Sequence, residues 1–237
     1  MKINKVTITG IDNKIEYKDL CVLQDKYPFV EWGVLFSKNK EGEKRYPSMD
    51  YIKSEFAGNL KLSAHFCGWW AREVLEKQNF DLILSLPKQF KRVQLNYNFK
   101  NSKGWNLAKL ASFCNENKDI SIILQYNRSN QTHLNYFISS VIPLVFPKGI
   151  PSNINFLYDS SGGNGKKIES IGKTIPNHYT GYSGGLSSDN IESVCEKIDS
   201  STDKTEVWID MESGVRTDND LDLIKVEEVL EKCLKFI

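Results

Sequence analysis

The order of apolar and amphipathic segments predicts a single-domain (β/α)₈ TIM barrel that spans residues 1–237. Eight short runs of β-branched and aromatic residues recur along the chain. Segments with apolar residues near positions i, i+3, i+4 and i+7 lie between them. Strict alternation of this kind is typical of parallel strands joined by right-handed crossovers. Eight such units in 237 residues favour a closed barrel over an open sheet.

The predicted strands are short, as barrel strands usually are. They cover residues 5–9, 30–36, 60–66, 92–95, 120–125, 155–159, 179–183 and 206–210. The clearest helical patterns cover residues 69–77, 105–117, 188–198 and 223–234. The segments after the second and sixth strands carry weaker patterns, and we expect short or irregular structure there.

The near-balance of charge limits the kinds of partner. With 31 Lys and Arg residues against 30 Asp and Glu residues, neither a nucleic acid nor an anionic membrane is expected as a partner.

The cysteines and the apolar segments bear on where the protein is found. Five cysteines without metal-binding or disulfide spacing are typical of reduced thiols and predict a cytoplasmic protein. The first residues lack a signal-peptide core, and the most apolar window is too short to span a membrane. No cofactor is indicated, and we expect a monomer or a homodimer.

Polar residues stand where the predicted strands end. In a TIM barrel the active site is built from the C-terminal ends of the strands and from the loops that follow them. The polar strand-end candidates are Thr9, His65, Cys67, Gln94, Asn96, Gln125, Asn127, Asp159, Ser183, Asp210 and Glu212. A hydrophobic core would not require polar side chains at these positions, so we expect a binding site there.

Glycine-containing turns follow each of the last three predicted strands. They are Gly162-Gly163-Asn164-Gly165, Ser183-Gly184-Gly185 and Ser213-Gly214. Glycine lets backbone N–H groups converge on an oxyanion, and the loops after strands seven and eight are the usual phosphate site of this fold. A single turn of this type is more often only a tight connection to a helix. Together the three turns predict a small phosphorylated metabolite as the ligand.

Several motifs carry a resemblance to one family. They are "LYDSSGGNGK" at 157–166, "YSGGLSSDNIESV" at 182–194, "IDMESGVRTDNDLDLIKVEEVL" at 209–230, "VQLN" at 93–96 and "RYPS" at 45–48. The chain resembles phosphoribosylanthranilate isomerase, a ribulose-phosphate-binding barrel, most clearly in its last third.

The resemblance implies roles for individual residues. Asp159 takes the place of the family's general acid, which protonates the furanose ring oxygen of the substrate. Arg45 would meet a substrate carboxylate. The phosphate would lie against Gly162, Gly163, Gly184, Gly185, Ser213 and Gly214. Four further strand-end residues are predicted to contact the substrate, namely Thr9, Gln94, Asn96 and Glu212.

The family's catalytic base is absent from this chain. Where the family has a cysteine in a KICG motif, this sequence has Thr9, whose hydroxyl is too weakly acidic to act as a base. Asn96 likewise replaces a histidine, and Glu212 adds a charge beside the proposed phosphate site. We therefore expect a divergent branch with a different substrate, not activity on phosphoribosylanthranilate itself.

The identity of the replacement base is open at the level of sequence. His65 is the first candidate because a histidine titrates near neutral pH and this one ends a strand. Asp210 is a candidate acceptor for a ligand hydroxyl, and His65, Asp159, Asp210 and Glu212 are an alternative set of metal ligands. The competing interpretation is a catalytically inactive protein that binds a phosphometabolite or has a regulatory role.

Overall fold

The computed structural model describes residues 2–55, 58–146, 149–160, 172, 175, 178–201 and 206–237. Eight parallel strands form a closed barrel in the order in which they follow one another along the chain. They are β1 (Lys2–Thr9), β2 (Val30–Phe36), β3 (Leu62–Cys67), β4 (Phe90–Asn96), β5 (Ser121–Tyr126), β6 (Ile154–Asp159), β7 (Thr180–Ser183) and β8 (Glu206–Met211). The predicted fold class is therefore confirmed.

Helices cover the outside of the barrel. They are α1 (Tyr17–Lys26), α2 (Met49–Glu55), α3 (Trp69–Leu75), α4 (Asp81–Leu84), α5 (Leu107–Glu116), α6 (Gln131–Tyr136), α7 (Ile142–Val145), α8 (Ile191–Ser201) and α9 (Leu223–Cys233). A short antiparallel hairpin, β9 (Arg216–Thr217) and β10 (Asp220–Leu221), lies between β8 and α9. None of the helices in the described part of the chain is both long and apolar enough to cross a membrane.

Two helix starts differ from the prediction for a local reason. Helix α5 begins at Leu107 because Asn106 caps it, accepting a hydrogen bond from the backbone N–H of Lys109 at 3.1 Å. Helix α8 begins at Ile191, three residues later than predicted, because Asn190 holds the preceding residues in a turn. Its side chain accepts from the Ser187 N–H and donates to the Gly185 carbonyl oxygen.

The main hydrophobic core lies between the strands and the surrounding helices. Its side chains come from the outward faces of the strands, such as Ile8 and Val34, and from the inward faces of the helices, such as Leu110 and Val229. A smaller cluster inside the barrel consists of Ile123, Leu157 and Trp208. The Trp208 ring occupies space beside Gly181, where a Cβ atom would overlap it.

The N-terminal half of the barrel interior contains a buried ion-pair network. The Glu31 carboxylate accepts hydrogen bonds from Arg92 at 2.7 Å, from Lys5 at 3.1 Å and from Thr7 at 3.0 Å. The Arg92 guanidinium also stacks 4.3 Å from the Trp208 ring. These contacts join β1, β2, β4 and β8 across the interior, so this end of the barrel is closed by packed side chains.

Candidate active site

The C-terminal ends of the strands surround a cavity of about 470 Å³. The strand-end candidate Asn127 does not line it, and its side chain instead accepts hydrogen bonds from the backbone N–H groups of Ser129 and Asn130. The structure brings together around the cavity the predicted catalytic and substrate-binding residues that it describes. They are Thr9, Arg45, His65, Gln94, Asn96, Asp159, Gly184, Gly185, Asp210, Glu212, Ser213 and Gly214. Gly162 and Gly163 lie outside the described residues.

Asp210 and Thr9 form a buried hydrogen-bonded pair at one side of the cavity. Thr9 ends β1, Asp210 lies near the end of the neighbouring β8, and Thr9 Oγ1 donates to Asp210 Oδ1 at 2.6 Å. The pKa of Asp210 is raised to about 7, mainly by burial and also by the charges of Glu212 and Asp159, while the Thr9 hydrogen bond and the charge of Arg92 oppose the shift. A carboxyl group with a pKa near neutral can both take and give a proton at physiological pH.

Asp159 ends β6 on the same side of the barrel. It is 5% exposed and lines the cavity. Its partner in register on β7 is Ser183, which in turn lies opposite Asp210 on β8. The two carboxyl groups therefore stand on alternate strands at the same level, as a pair of acid–base groups acting on one ligand would require.

His65 and Gln94 lie side by side on the opposite wall, where β3 and β4 are paired. Burial lowers the pKa of His65 to about 3; the charge of Glu31 opposes this shift and that of Arg92 adds to it. The imidazole is therefore neutral at physiological pH. Gln94 Nε2 donates to Asn96 Oδ1 at 2.9 Å, and Asn96 Nδ2 donates to Cys67 Sγ at 3.6 Å. We name His65, Gln94 and Asn96 the polar wall.

Arg45 is held at the mouth of the cavity by the loop after β2. Its Nη1 donates to Glu212 Oε1 at 2.6 Å, and its backbone N–H donates to Asp12 Oδ1 at 2.6 Å. Asp12 is itself ion-paired with Arg216 Nη2 at 2.7 Å, which ties this loop to the β9–β10 hairpin. The Arg45 guanidinium therefore offsets the negative charge of Glu212 beside the glycine turns.

The turns after β7 and β8 pack directly against each other. A Cβ atom on Gly214 would overlap the carbonyl oxygen of Leu186, so only glycine permits this approach. Gly184 and Gly185 have φ angles of +127° and +56°. Their backbone N–H groups make no hydrogen bond within the described residues, and both residues line the cavity. Unpaired N–H groups in a glycine turn are suited to bind an oxyanion.

Two other roles that strand-end residues could take, a metal site and a reactive Cys67 thiol, receive no support from the structure. Among the described residues, no three or more His, Cys, Asp or Glu side chains converge in a way that could hold a metal ion. Burial raises the pKa of Cys67 to about 12, so its thiol is a poor nucleophile or base at neutral pH. All five cysteines are free.

The sequence did not single out the loop residues that complete the mouth of the cavity. Tyr46 comes from the loop after β2, and Tyr97, Asn98 and Asn101 come from the loop after β4. Their position after barrel strands is the signal that could have found them. Residue type alone could not, because tyrosine and asparagine are common in surface loops.

The similarity of this chain to known proteins lies in its three-dimensional structure. No protein-family model matches the sequence, and a search of curated proteins found no match. N-(5'-phosphoribosyl)anthranilate isomerase from Pyrococcus furiosus matches with a TM-score of 0.57 and 14% identity over 98% of both chains. The chain has the fold of that isomerase. The resemblance predicted from the motifs is thus confirmed at the level of the fold.

Two further solved structures agree with this result. Phosphoribosylanthranilate isomerase from Thermotoga maritima, described as monomers derived from a dimer, matches with a TM-score of 0.56 and 14% identity, over 97% of this chain and 98% of that one. The 3-hexulose-6-phosphate synthase from Salmonella typhimurium matches with a TM-score of 0.51 and 11% identity over 100% of both chains. Both cover the whole barrel, so the shared feature is the entire fold.

Proposed function

We propose that this chain is an enzyme that binds a small phosphorylated sugar and catalyses an isomerase or lyase reaction by proton transfer. In this proposal Asp159 is the general acid and Asp210 is the general base. The observation that carries it is the buried Thr9–Asp210 pair, in which Thr9 takes the place of the family's cysteine.

The glycine turns support a phosphate-bearing substrate. The N–H groups of Gly184 and Gly185 have no partner in the described chain, and Gly214 lets the two turns meet. The names of the structurally similar proteins, a phosphoribosylanthranilate isomerase and a hexulose-phosphate synthase, both refer to sugar phosphates. A phosphate on these turns would place the rest of the substrate over the barrel, next to Asp159 and Asp210.

The choice of Asp210 over His65 as the base follows from the pKa values of the two side chains. His65 was the first candidate from the sequence, but burial lowers the pKa of its imidazole to about 3, which makes it a weak base. Asp210 has a pKa of about 7. Thr9 cannot accept the proton itself, but its hydrogen bond orients the Asp210 carboxyl group. The catalytic function that the resemblance assigns to β1 thus moves to β8.

The proposed reaction needs one proton donor and one proton acceptor. The acid protonates the ring oxygen as the ring C–O bond breaks. The base then takes the proton from the sugar carbon next to the reacting carbon, and the electron pair of that C–H bond forms a carbon–carbon double bond. The electron pair of this double bond then takes up a proton at the carbon that carried the ring oxygen, and the hydroxyl group on the adjacent carbon loses its proton and becomes a carbonyl, which completes the isomerisation. Asp159 and Asp210, on alternate strands, are positioned to act at two such points of one substrate.

The test begins with a thermal-shift screen of phosphorylated sugars, followed by mass spectrometry of each hit for conversion. We expect Asp159→Asn and Asp210→Asn each to lower turnover by roughly 10²-fold to 10⁴-fold. Affinity for the phosphorylated ligand should change little, because the phosphate site lies on the glycine turns. Asp119→Asn is the matched control, since Asp119 is exposed and lies at the other end of the barrel before β5.

The results separate this proposal from the alternative of a catalytically inactive binding or regulatory protein. That alternative is favoured by one observation, the replacement of the family's cysteine by Thr9. Ligands that bind and are never converted would support it. Conversion that survives both aspartate substitutions would contradict the acid–base assignment and leave phosphate binding in place.

A further inference from the structure

Carboxyl groups outnumber cations among the described side chains that line the cavity. The carboxyl groups belong to Asp159, Asp210 and Glu212. Arg45 is the only lysine or arginine in the described part of the lining. The polar wall adds no positive charge, because burial lowers the pKa of His65 to about 3. The surroundings of the Arg45 guanidinium therefore bear directly on which anionic groups the described lining can accept.

Two side chains of the protein itself already engage this guanidinium. Arg45 Nη1 donates to Glu212 Oε1 at 2.6 Å, and Arg45 Nε donates to Asn219 Oδ1. A carboxylate in direct contact with a guanidinium neutralises its charge and takes up its directional donors. An anionic ligand group that approached Arg45 would have to displace Glu212, whose negative charge would then stand beside the ligand without its cation.

The backbone around Arg45 fixes this pair in place. Arg45 has a φ angle of +74°, which residues other than glycine rarely adopt, and its N–H is held by Asp12 Oδ1 at 2.6 Å. Arg216 Nη2 donates to both carboxylate oxygens of Asp12, at 2.7 and 2.8 Å. Arg216 Nε also donates to the carbonyl oxygen of Asn219, in the turn of the β9–β10 hairpin, at 3.0 Å. The loop and the hairpin thus hold Arg45 against Glu212.

We propose that Glu212 is a specificity-determining residue: by occupying Arg45 it excludes ligands that carry a second anionic group, so the phosphate is the only anionic group of the substrate. The proposal departs from the substrate carboxylate that the resemblance implied for Arg45. It rests on the proposed function, because it takes the glycine turns as the phosphate site. An unpaired charge built against the wrong ligand can discriminate between two ligands without any new contact to the right one.

Two ligands that differ by one charge test this exclusion on the unmodified protein. Ribitol 5-phosphate and 5-phosphoribonate share a phosphate and a hydroxylated five-carbon chain, but the first ends in a primary alcohol and the second in a carboxylate. We expect the wild-type protein to bind ribitol 5-phosphate at least ~10-fold more tightly, a ratio that corresponds to about 1.4 kcal/mol. The measurement is isothermal titration calorimetry at low ionic strength, where partly exposed charges are least screened.

A substitution assigns the preference to Glu212. Glu212→Gln keeps the size of the side chain, removes its charge and leaves the Arg45 guanidinium able to pair with a ligand carboxylate. The ratio of the two affinities should therefore fall by at least ~10-fold. Asp218→Asn is the matched control, because it removes one negative charge from the turn of the same hairpin, where Asp218 is exposed and does not line the cavity. This control should leave the ratio unchanged.

The outcomes distinguish failure of this inference from failure of the proposed function. If the wild-type protein binds both ligands equally, or prefers 5-phosphoribonate, the exclusion is overturned and the phosphate site stands. An affinity ratio that is unchanged in Glu212→Gln, or that falls as far in Asp218→Asn, would overturn the assignment to Glu212. If neither ligand nor inorganic phosphate binds the wild-type protein, the phosphate site itself is wrong, and the inference is overturned with it.

Discussion

Two carboxyl groups inside the barrel, Glu31 and Asp210, have opposite electrostatic environments. Both are buried, with exposures of 3% and 6%. Burial alone would raise the pKa of Glu31, but the charges of Arg92 and Lys5 and the hydrogen bonds from Lys5 and Thr7 outweigh it and lower the pKa. Asp210 has a threonine hydroxyl as its hydrogen-bond partner in the described chain, and its pKa rises to about 7.

The difference separates a structural carboxylate from one suited to chemistry. Glu31 is ionised and fully paired, so its network stabilises the closed N-terminal end of the barrel. Asp210 carries a desolvation cost that the more distant charge of Arg92 and the Thr9 hydrogen bond offset only in part, and no cation among the described residues forms an ion pair with it. Such costs persist mainly where a function requires a group poised between two protonation states. The position of Asp210 in the cavity, beside Asp159, fits that explanation.

The largest effect on stability that we expect comes from removing the charge of Glu31, which pairs with Arg92 and Lys5. Glu31→Gln leaves Arg92 and Lys5 without their counter-charge, and it should lower the free energy of unfolding by about 3–5 kcal/mol in urea denaturation at neutral pH. Glu192→Gln is the control, because Glu192 pairs with Lys235 at 2.6 Å while both side chains are about half exposed. That pair should contribute little to stability, because solvent screens the two exposed charges. Equal losses of unfolding free energy in Glu31→Gln and Glu192→Gln would contradict a special structural role for the buried Glu31 network.

The second effect concerns the pH dependence of stability that Asp210 causes. The folded protein holds a proton on Asp210 up to pH of about 7, whereas the unfolded chain releases it near its ordinary pKa of 3.8. Stability from this group is therefore greatest below pH 4 and decreases as the pH rises to 7. Asp210→Asn does not titrate. It should match the wild-type protein at pH 4 and exceed its free energy of unfolding by roughly 2–4 kcal/mol at pH 8.

The difference in unfolding free energy between variant and wild type should be measured at both pH values. Groups common to the two proteins, including Glu31, then cancel. A difference that stays constant from pH 4 to pH 8 would show that Asp210 does not titrate in this range and would remove the basis for its role as the base.

The smallest effect that we expect comes from two threonines of β1, each of which donates a hydrogen bond to one of the two carboxyl groups. Thr7 donates to Glu31 at 3.0 Å and Thr9 donates to Asp210 at 2.6 Å. Thr9→Val removes the hydrogen bond that lowers the pKa of Asp210, so that pKa should rise by about one pH unit in a carboxyl ¹³C NMR titration. Thr7→Val should cost about 0.5–1.5 kcal/mol of stability and leave Glu31 ionised, because its two cations remain. If Thr7→Val shifted the pKa of Glu31 as far as Thr9→Val shifts that of Asp210, the proposed difference between the two carboxyl groups would be wrong.

Most of the fold was predictable from the sequence because a barrel strand leaves a local signal. Residues such as those of β2 and β6 form short apolar runs, and the helical period of α5, α8 and α9 separates them. The boundaries shifted by one to three residues where side chains intervened, as Asn106 and Asn190 do at two helix starts. The rim residues Tyr46 and Tyr97 were missed because their loops carry no periodic pattern.

The amino-acid sequence was sufficient to place polar residues at the strand ends and glycines in the turns after β7 and β8, because period-two alternation and the order of the elements are local properties. The protonation states of those residues depended on tertiary neighbours. Arg92 lies 61 residues from Glu31, and Thr9 lies 201 residues from Asp210. Only the closed barrel decides which carboxylate meets a cation and which is buried with a hydroxyl group. Desolvation and charge pairing act over a few ångströms in space, at any separation along the chain.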